Sequence, residues 1–462
     1  MAGKRPAVPG NTSDPEASGL AAFAAELKWE DIPTSVRHEA KRALLNMFAT
    51  AFAGCGEPAV EKALAVMSRF SGDPQASLFG RGQRRDAALA AFVNAMAANI
   101  HDYDDTHPAT IIHPTAPVAP ALLAFAETAP RTGADLLRAF LIGAEIECRI
   151  GNAVSPGHYT RGWHITSTCG VFGAAAGVGA LLGLDPQQFV WAFGNASVQS
   201  AGLVEALGTM SKSISVGNAA RNGLLSALLA TEGFAGPPGP LSGSRGFLRV
   251  YCDEPKFGKL LDGLGEDWEI ARNTYKPYPV GVVLNPVIDA SLQLSSLNGF
   301  RADKAVTVEL TGHPLLRQRT DRPDVRTGRE SQVSAQHAIA IVWRRGKAGL
   351  DEFSDAAVAE TLGAGRPEVN FIDDPARDVA SVGMAVRMRD GTTLQAEISA
   401  ARGSPENPLS DSDLERKLMT TADRIGFTGN VGALIDAVWA LDELADAAMV
   451  SRMANPAGTS DA

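Results

Sequence analysis

The stretch "CGVFGAAAGVGALLGL", residues 169–184, is the longest apolar run in a chain of 462 residues. It is short for a bilayer crossing, which needs about 20 apolar residues. Glycine recurs through it, but not in the spacing of a dinucleotide or phosphate loop. The glycines suit a helix whose backbone lies close against its neighbours. The run therefore reads as a buried helix of a soluble protein. Composition agrees: 45% of residues are hydrophobic, 20% are charged and only 6% are aromatic. That balance is globular, and abundant Ala and Gly favour close helix–helix contact. The formal net charge of -10, with no Lys/Arg cluster to offset it, argues against nucleic acid as a partner. An acidic protein still binds anions where the site itself is cationic.

Working outward from this run, helical patterning extends from about residue 18 to 265. "VRHEAKRALLNMFATAFAG" (36–54), "RRDAALAAFVNAMAANIHDYDD" (84–105), "GADLLRAFLIGAEIECRIGNAV" (133–154) and "GNAARNGLLSALLATEGF" (217–234) carry apolar residues at threes and fours. The texture changes near residue 266. "AVTVELTG" (305–312) reads as a strand. "VASVGMAVRMRDGTTLQAEIS" (379–399) reads as a hairpin turning at Asp390-Gly391, and "SAQHAIAIVWRRG" (334–346) as a helix. Helical pattern returns after about 405. The expected fold is mainly α with an α+β part: a large all-helical domain with a smaller inserted α+β domain. The expected boundaries are a disordered N-terminus 1–17, helical domain 18–267, α+β lid domain 268–402, helical return 403–452 and a disordered tail 453–462.

Cys55, Cys148, Cys169 and Cys252 are widely spaced and form no CxxC pair. They read as reduced core thiols of a cytoplasmic protein. The polar opening "MAGKRPAVPGNTSDPEASG" has no apolar signal segment. No membrane partner is expected.

Chemistry concentrates in "HDYDDTHPATIIHPTAPVAPALL" (101–123). His101, His107 and His113 are six apart. Six helical steps turn about 240°, so they cannot share a helix face, and the spacing matches no zinc pattern. No metal site is expected; a His/Asp metal-dependent hydrolase is the rival reading. Asp102 and Thr106 are i,i+4 and would share a face at the end of the preceding helix. Three polar residues each precede an expected helix N-terminus: His113 before "PTAPVAPALL", His164 before "ITSTCGVFGAAAG", and Lys212 before "SISVGNAARNG". Unpaired N–H groups and the positive dipole end make such places anion sites. If the three converge, they form a cationic pocket for carboxylates. Lys276, in "YKPYPVG" (275–281), is either part of a stiff linker or a second carboxylate clamp.

These segments, with "GHPLLRQRTDRPDVRTGRE" (312–330), resemble the MmgE/PrpD family over about residues 20–450. The resemblance implies a helical domain plus a lid domain, an active site between them, a homodimer, and no metal or organic cofactor. It carries over Asp102, Thr106, His113, His164, Lys212 and Lys276 as site residues. Ser215 and Asn285 stand where many family members have His, which argues against methylcitrate or cis-aconitate as substrate.

The family's reactions share a carbanion-like centre beside a carboxylate. His164 is the expected general base or acid. Lys212 and Lys276 would hold carboxylates. His113 would protonate a leaving hydroxyl or bind a carboxylate, and Asp102 would balance a cation, with Thr106 as a hydrogen-bond partner. The leading expectation is a cofactor-independent lyase, a hydro-lyase, acting on a small di- or tricarboxylate. An epimerase or isomerase comes second, a decarboxylase third, and a non-catalytic binder of small acids is the alternative of a different class.

Overall fold

The computed structural model describes residues 14–362 and 365–455. The chain separates into two compact units. The first comprises residues 14–100, 105–273 and 414–455, and the second residues 101–104 and 274–413, with 363 and 364 outside the described residues. The expected boundaries at 268 and 402 thus fall earlier in the chain than the observed ones. Most of the two terminal segments expected to be disordered lies outside the described residues. Residues 14–17 do not fit that expectation. Asp14 accepts a hydrogen bond from the Ala17 amide and caps a helix, Pro15–Glu26. The capping carboxylate with Pro at N1 starts the helix three residues before its apolar pattern becomes legible.

The first unit is built from helices. Six of them are α1 (Thr34–Gly54), α2 (Ala87–Asn99), α3 (Thr115–Ala126), α4 (Gly133–Val154), α5 (Ile165–Leu182) and α6 (Ser211–Thr231). All of the quoted apolar run but Leu184 lies in α5 and its C-cap. All of α5 except Leu182 is buried, and the helix ends at Gly183 with a left-handed φ of 70°. By length and composition α5 could cross a membrane, but 94% of it is buried inside the protein. A core helix accounts for that.

Backbones meet where glycines face each other. A methyl group on Gly143 of α4 would lie 2.6 Å from the Gly173 carbonyl oxygen of α5. On Gly223 of α6 it would lie 2.4 Å from Ala174 Cβ and 2.7 Å from the Val171 carbonyl oxygen. These positions exclude every larger side chain. A buried ion pair ties the long connection after α6 onto α4. Arg149 Nε donates to Glu145 Oε1 at 2.6 Å, and its other nitrogens donate to the carbonyls of Asp262 and Asp267 at 2.8 and 2.9 Å.

The second unit holds a four-stranded sheet, β1 (Ala305–Gly312), β2 (Glu368–Asp373), β3 (Val382–Met388) and β4 (Thr393–Ile398), ordered β2-β1-β3-β4. β1 pairs parallel with β2, while β1–β3 and β3–β4 are antiparallel. Val308, Leu310, Val382, Met384 and Val386 form one core with α7 (Asn285–Ser295) and α8 (Ala335–Arg345). Asp390-Gly391 makes the expected turn, with Gly391 at φ 88°. β2 was not expected: "EVNFID" is largely exposed, so its apolar alternation is weak. The small hairpin Ala76–Leu78 with Gln83–Arg85 was also missed.

Substituting Gly223 with Ala should destabilise the helical unit by about 1–3 kcal/mol through overpacking against backbone. Gly56→Ala, where nothing lies within 4 Å, should stay within about 0.5 kcal/mol. Urea unfolding of the two variants beside the parent checks the difference.

Candidate functional site

The helix leading into "HDYDDTH" stops at Asn99. Asp102 takes a left-handed φ of 54°, which ends any helical register with Thr106. The expected i,i+4 face shared by Asp102 and Thr106 is therefore wrong. Three acidic residues at a helix C-terminus oppose the macrodipole, and the chain leaves the helix instead. His101–Asp104 belongs to the second unit. There Gln332 Nε2 donates to the His101 carbonyl at 3.2 Å and Tyr103 donates to the Pro277 carbonyl at 3.3 Å. Lys276 Nζ donates to the Asp102 carbonyl at 2.9 Å and pairs with Asp102 Oδ2 at 3.2 Å. Lys276 is buried, while the Asp102 side chain is about a third exposed. Lys276, read as either a linker residue or a carboxylate clamp, is thus buried and paired with Asp102.

The other four expected residues gather in the helical unit. His113 lies just before α3. Its amide donates to Thr166 Oγ1 in the first turn of α5 at 3.2 Å. Its Nδ1 is 2.8 Å from the Asp105 carbonyl and 3.4 Å from Thr106 Oγ1. A carbonyl only accepts, so Nδ1 carries the proton.

His164 is the N-cap of α5. Its Nδ1 lies 3.1 Å from Ser167 Oγ and 3.3 Å from Ser215 Oγ. Ser167 gives its own proton to the His164 carbonyl, and Ser215 gives its proton to the Lys212 carbonyl. His164 Nδ1 is thus held by two hydroxyls, one from α5 and one from α6.

Lys212 differs from expectation in place. The helix does not begin near Ser215 or Gly217: α6 starts at Ser211, so Lys212 lies inside its first turn, buried. Residues 211–214 continue the helical spacing N-terminal to the apolar run, which hid the true start. Ser215 Oγ bonds both His164 Nδ1 and the Lys212 carbonyl, which sets the first turn of α6 beside His164. His113 joins them through Thr166.

Sequence reasoning missed Asp105, Thr166, Ser167 and the tether at Ser215. The run "ITSTC" after His164 was the available signal for Thr166 and Ser167. His107 has a different role from His113. It is fully buried, with Nε2 2.9 Å from Glu269 Oε2 and Nδ1 2.8 Å from Thr110 Oγ1. It anchors the 105–113 loop to the connection beneath it. His158 is likewise structural, bonded to Thr168 at 2.7 Å and pushed down to about 4 by burial.

The model of the MmgE/PrpD N-terminal domain matches residues 18–260, and that of the C-terminal domain matches residues 278–443. The chain belongs to the MmgE/PrpD family. Cis-aconitate decarboxylase of Mus musculus is 26% identical over 455 residues, covering 92% of this chain and 91% of the relative. Cis-aconitate decarboxylase of Aspergillus terreus is 26% identical over 475 residues, covering 95% of each. A cis-aconitate decarboxylase of Aspergillus terreus strain NIH 2624 / FGSC A1156 is 32% identical over 280 residues, 57% of each chain. Family and relatives together support a lyase, the class to which decarboxylases belong.

The loop anchor has a pH signature. Burial pushes Glu269 up, but hydrogen bonding and charge from His107, with Arg272 and Asn152, outweigh it and hold the carboxyl at about 2. A depressed carboxyl stabilises the fold above its ordinary value of 4.5, and that contribution is lost as pH falls towards 2. Glu269→Gln should melt below the parent at neutral pH, with the gap closing over this acid window. Melting curves against pH check it; a gap that ignores pH would show that Glu269 does not act through its charge.

Proposed function

We propose that the chain is a cofactor-independent lyase of a small di- or tricarboxylate, working by proton transfer at a carbon beside a carboxylate. The observation that carries this reading is that the segments bearing His113, His164 and Lys212 are bonded to one another: the His113 amide to Thr166 just after His164, and Ser215 Oγ to both His164 Nδ1 and the Lys212 carbonyl. An imidazole can hold either state near neutral pH. Lys212 adds an ammonium at the positive end of α6, where a carboxylate is stabilised and where charge developing on carbon would be opposed.

Two eliminations fit. In loss of carbon dioxide, the C–C bond breaks and its electron pair stays on carbon, delocalised towards the remaining carboxylate. An imidazolium then supplies the proton. In loss of water, one neutral imidazole takes the C–H proton and the other, protonated, gives its proton to the departing hydroxyl. The named relatives favour decarboxylation as the first reaction to test and dehydration as the second. Ser215 in the His164 tether keeps cis-aconitate from being assumed as substrate. The four cysteines are free and buried, which supports a cytoplasmic setting.

The test is a panel of di- and tricarboxylates, cis-aconitate included, incubated in deuterated water. Carbon dioxide release with one deuteron in the product supports decarboxylation. Loss of water supports dehydration. Deuterium uptake with neither points to an epimerase, and binding with no turnover overturns the lyase. On the substrate so found, Lys212→Met should lose about a hundredfold in kcat/KM, about 3 kcal/mol of transition-state stabilisation. Near-normal turnover by the folded variant would remove Lys212 from the chemistry.

We also propose a homodimer through α6. Ile214, Leu225 and Leu229, with Met210 just before the helix, are exposed on one stripe at helical spacing. A second copy presenting the same stripe would cover it symmetrically. Leu225→Glu with Leu229→Glu should convert a dimer to a monomer in sedimentation velocity. A parent that is monomeric at micromolar concentration would end this proposal.

A further inference from the structure

Glu147 is an ionisable group that the proposed reaction does not use. It sits on α4, fully buried. Neither carboxyl oxygen has a hydrogen-bond partner among the described residues. Its Oε2 lies against the backbone of α5, where a methyl group on Gly173 would come within 2.4 Å of it and one on Gly170 within 3.4 Å. Pro117 of α3 packs on the same Gly170. The ionisable groups around it are Asp105 and the thiols of Cys148 and Cys169. Both thiols are pushed up first by burial and then by Glu147. No cation among the described residues acts on it. Burial, then the like charge of Asp105, raises Glu147 well above the usual carboxylate range.

Asp105 is differently placed. Its Oδ2 accepts from Asn273 Nδ2 at 2.6 Å and from Thr115 Oγ1 at 2.5 Å. Two donors favour its ionised form, so the single charge of the pair rests there. Its backbone carbonyl is the acceptor that fixes His113 Nδ1.

We propose that Glu147 is a positioning residue for His113: packed on Gly170 and Gly173, it keeps a proton beside Asp105, so the two acids carry one charge and the 105–113 loop stays seated. Ionisation of Glu147 would set a second negative charge against Asp105 in a medium that screens it poorly. Relief comes by displacing Asp105, and the acceptor of His113 Nδ1–H moves with it. This inference rests on the reading of His113 as a proton carrier. Its tests use no substrate, so the two can fail separately.

The sign follows from linkage. The folded chain keeps the Glu147 proton above 4.5, where the unfolded chain has lost it. Stability therefore falls as pH rises, by a factor of about ten in the folding equilibrium per pH unit until the folded value is passed. Glu147→Gln is a neutral isostere and lacks this dependence. Its midpoint in urea should rise relative to the parent as pH goes from about 5 to about 9. In the parent, the His113 ring proton resonance should also shift at alkaline pH as Glu147 ionises, and in Glu147→Gln it should not. A gap that does not change with pH, or a His113 response identical in both proteins, overturns the proposal. If Glu147→Gln does not fold, the parent alone decides. A protonated-carboxyl stretch in its infrared spectrum at about pH 8, where ordinary carboxyls are ionised, supports the proposal, and its absence overturns it.

Discussion

Contact between helix backbones is the constraint on which the rest of the helical unit depends. Gly143, Gly173 and Gly223 leave no room for a side chain, so α4, α5 and α6 approach as closely as their main chains allow. That spacing fixes the N-terminus of α5 relative to α6. It lets Ser215 on one helix reach His164 on the other at 3.3 Å, and Thr166 hold the amide of His113. A hydroxyl is a short arm. One methyl group between the helices would put these bonds out of reach.

The helices were largely legible in the sequence, because they follow local rules. The glycine-rich run 169–184 announced a buried helix, and the Pro and Ser/Thr residues ahead of two apolar segments announced the starts of α3 and α5. His113 and His164 lie where that reading put them. What the sequence hid was long-range or non-local in origin. Asp102 sits at a left-handed φ that no periodicity reveals. The start of α6 was obscured because Lys212 and Ser213 fit either a loop or a first turn. β2 pairs across the sheet with a segment more than fifty residues away, and its exposed face gives no apolar alternation. The tethers of His164 come from two different helices, so no linear motif could pair them.

The same residue type serves two ends in this unit. His107 is held at both nitrogens, by Glu269 and Thr110. His113 Nδ1 is held by a main-chain carbonyl, and His164 Nδ1 by two serines. The difference between an anchor and a candidate site residue lies in these partners.

His101–Asp104 has a consequence for how the chain can be cut. These four residues sit within the sequence of the helical unit but are bonded to Pro277, Lys276 and Gln332. Excising 274–413 as a cassette would strip them of those partners. Asp102 would be stranded in a left-handed turn without its ammonium, and the excised cassette would contain Lys276 without its carboxylate. A clean transplant of the smaller unit onto another scaffold must therefore carry the tetrapeptide along as a second, separate graft.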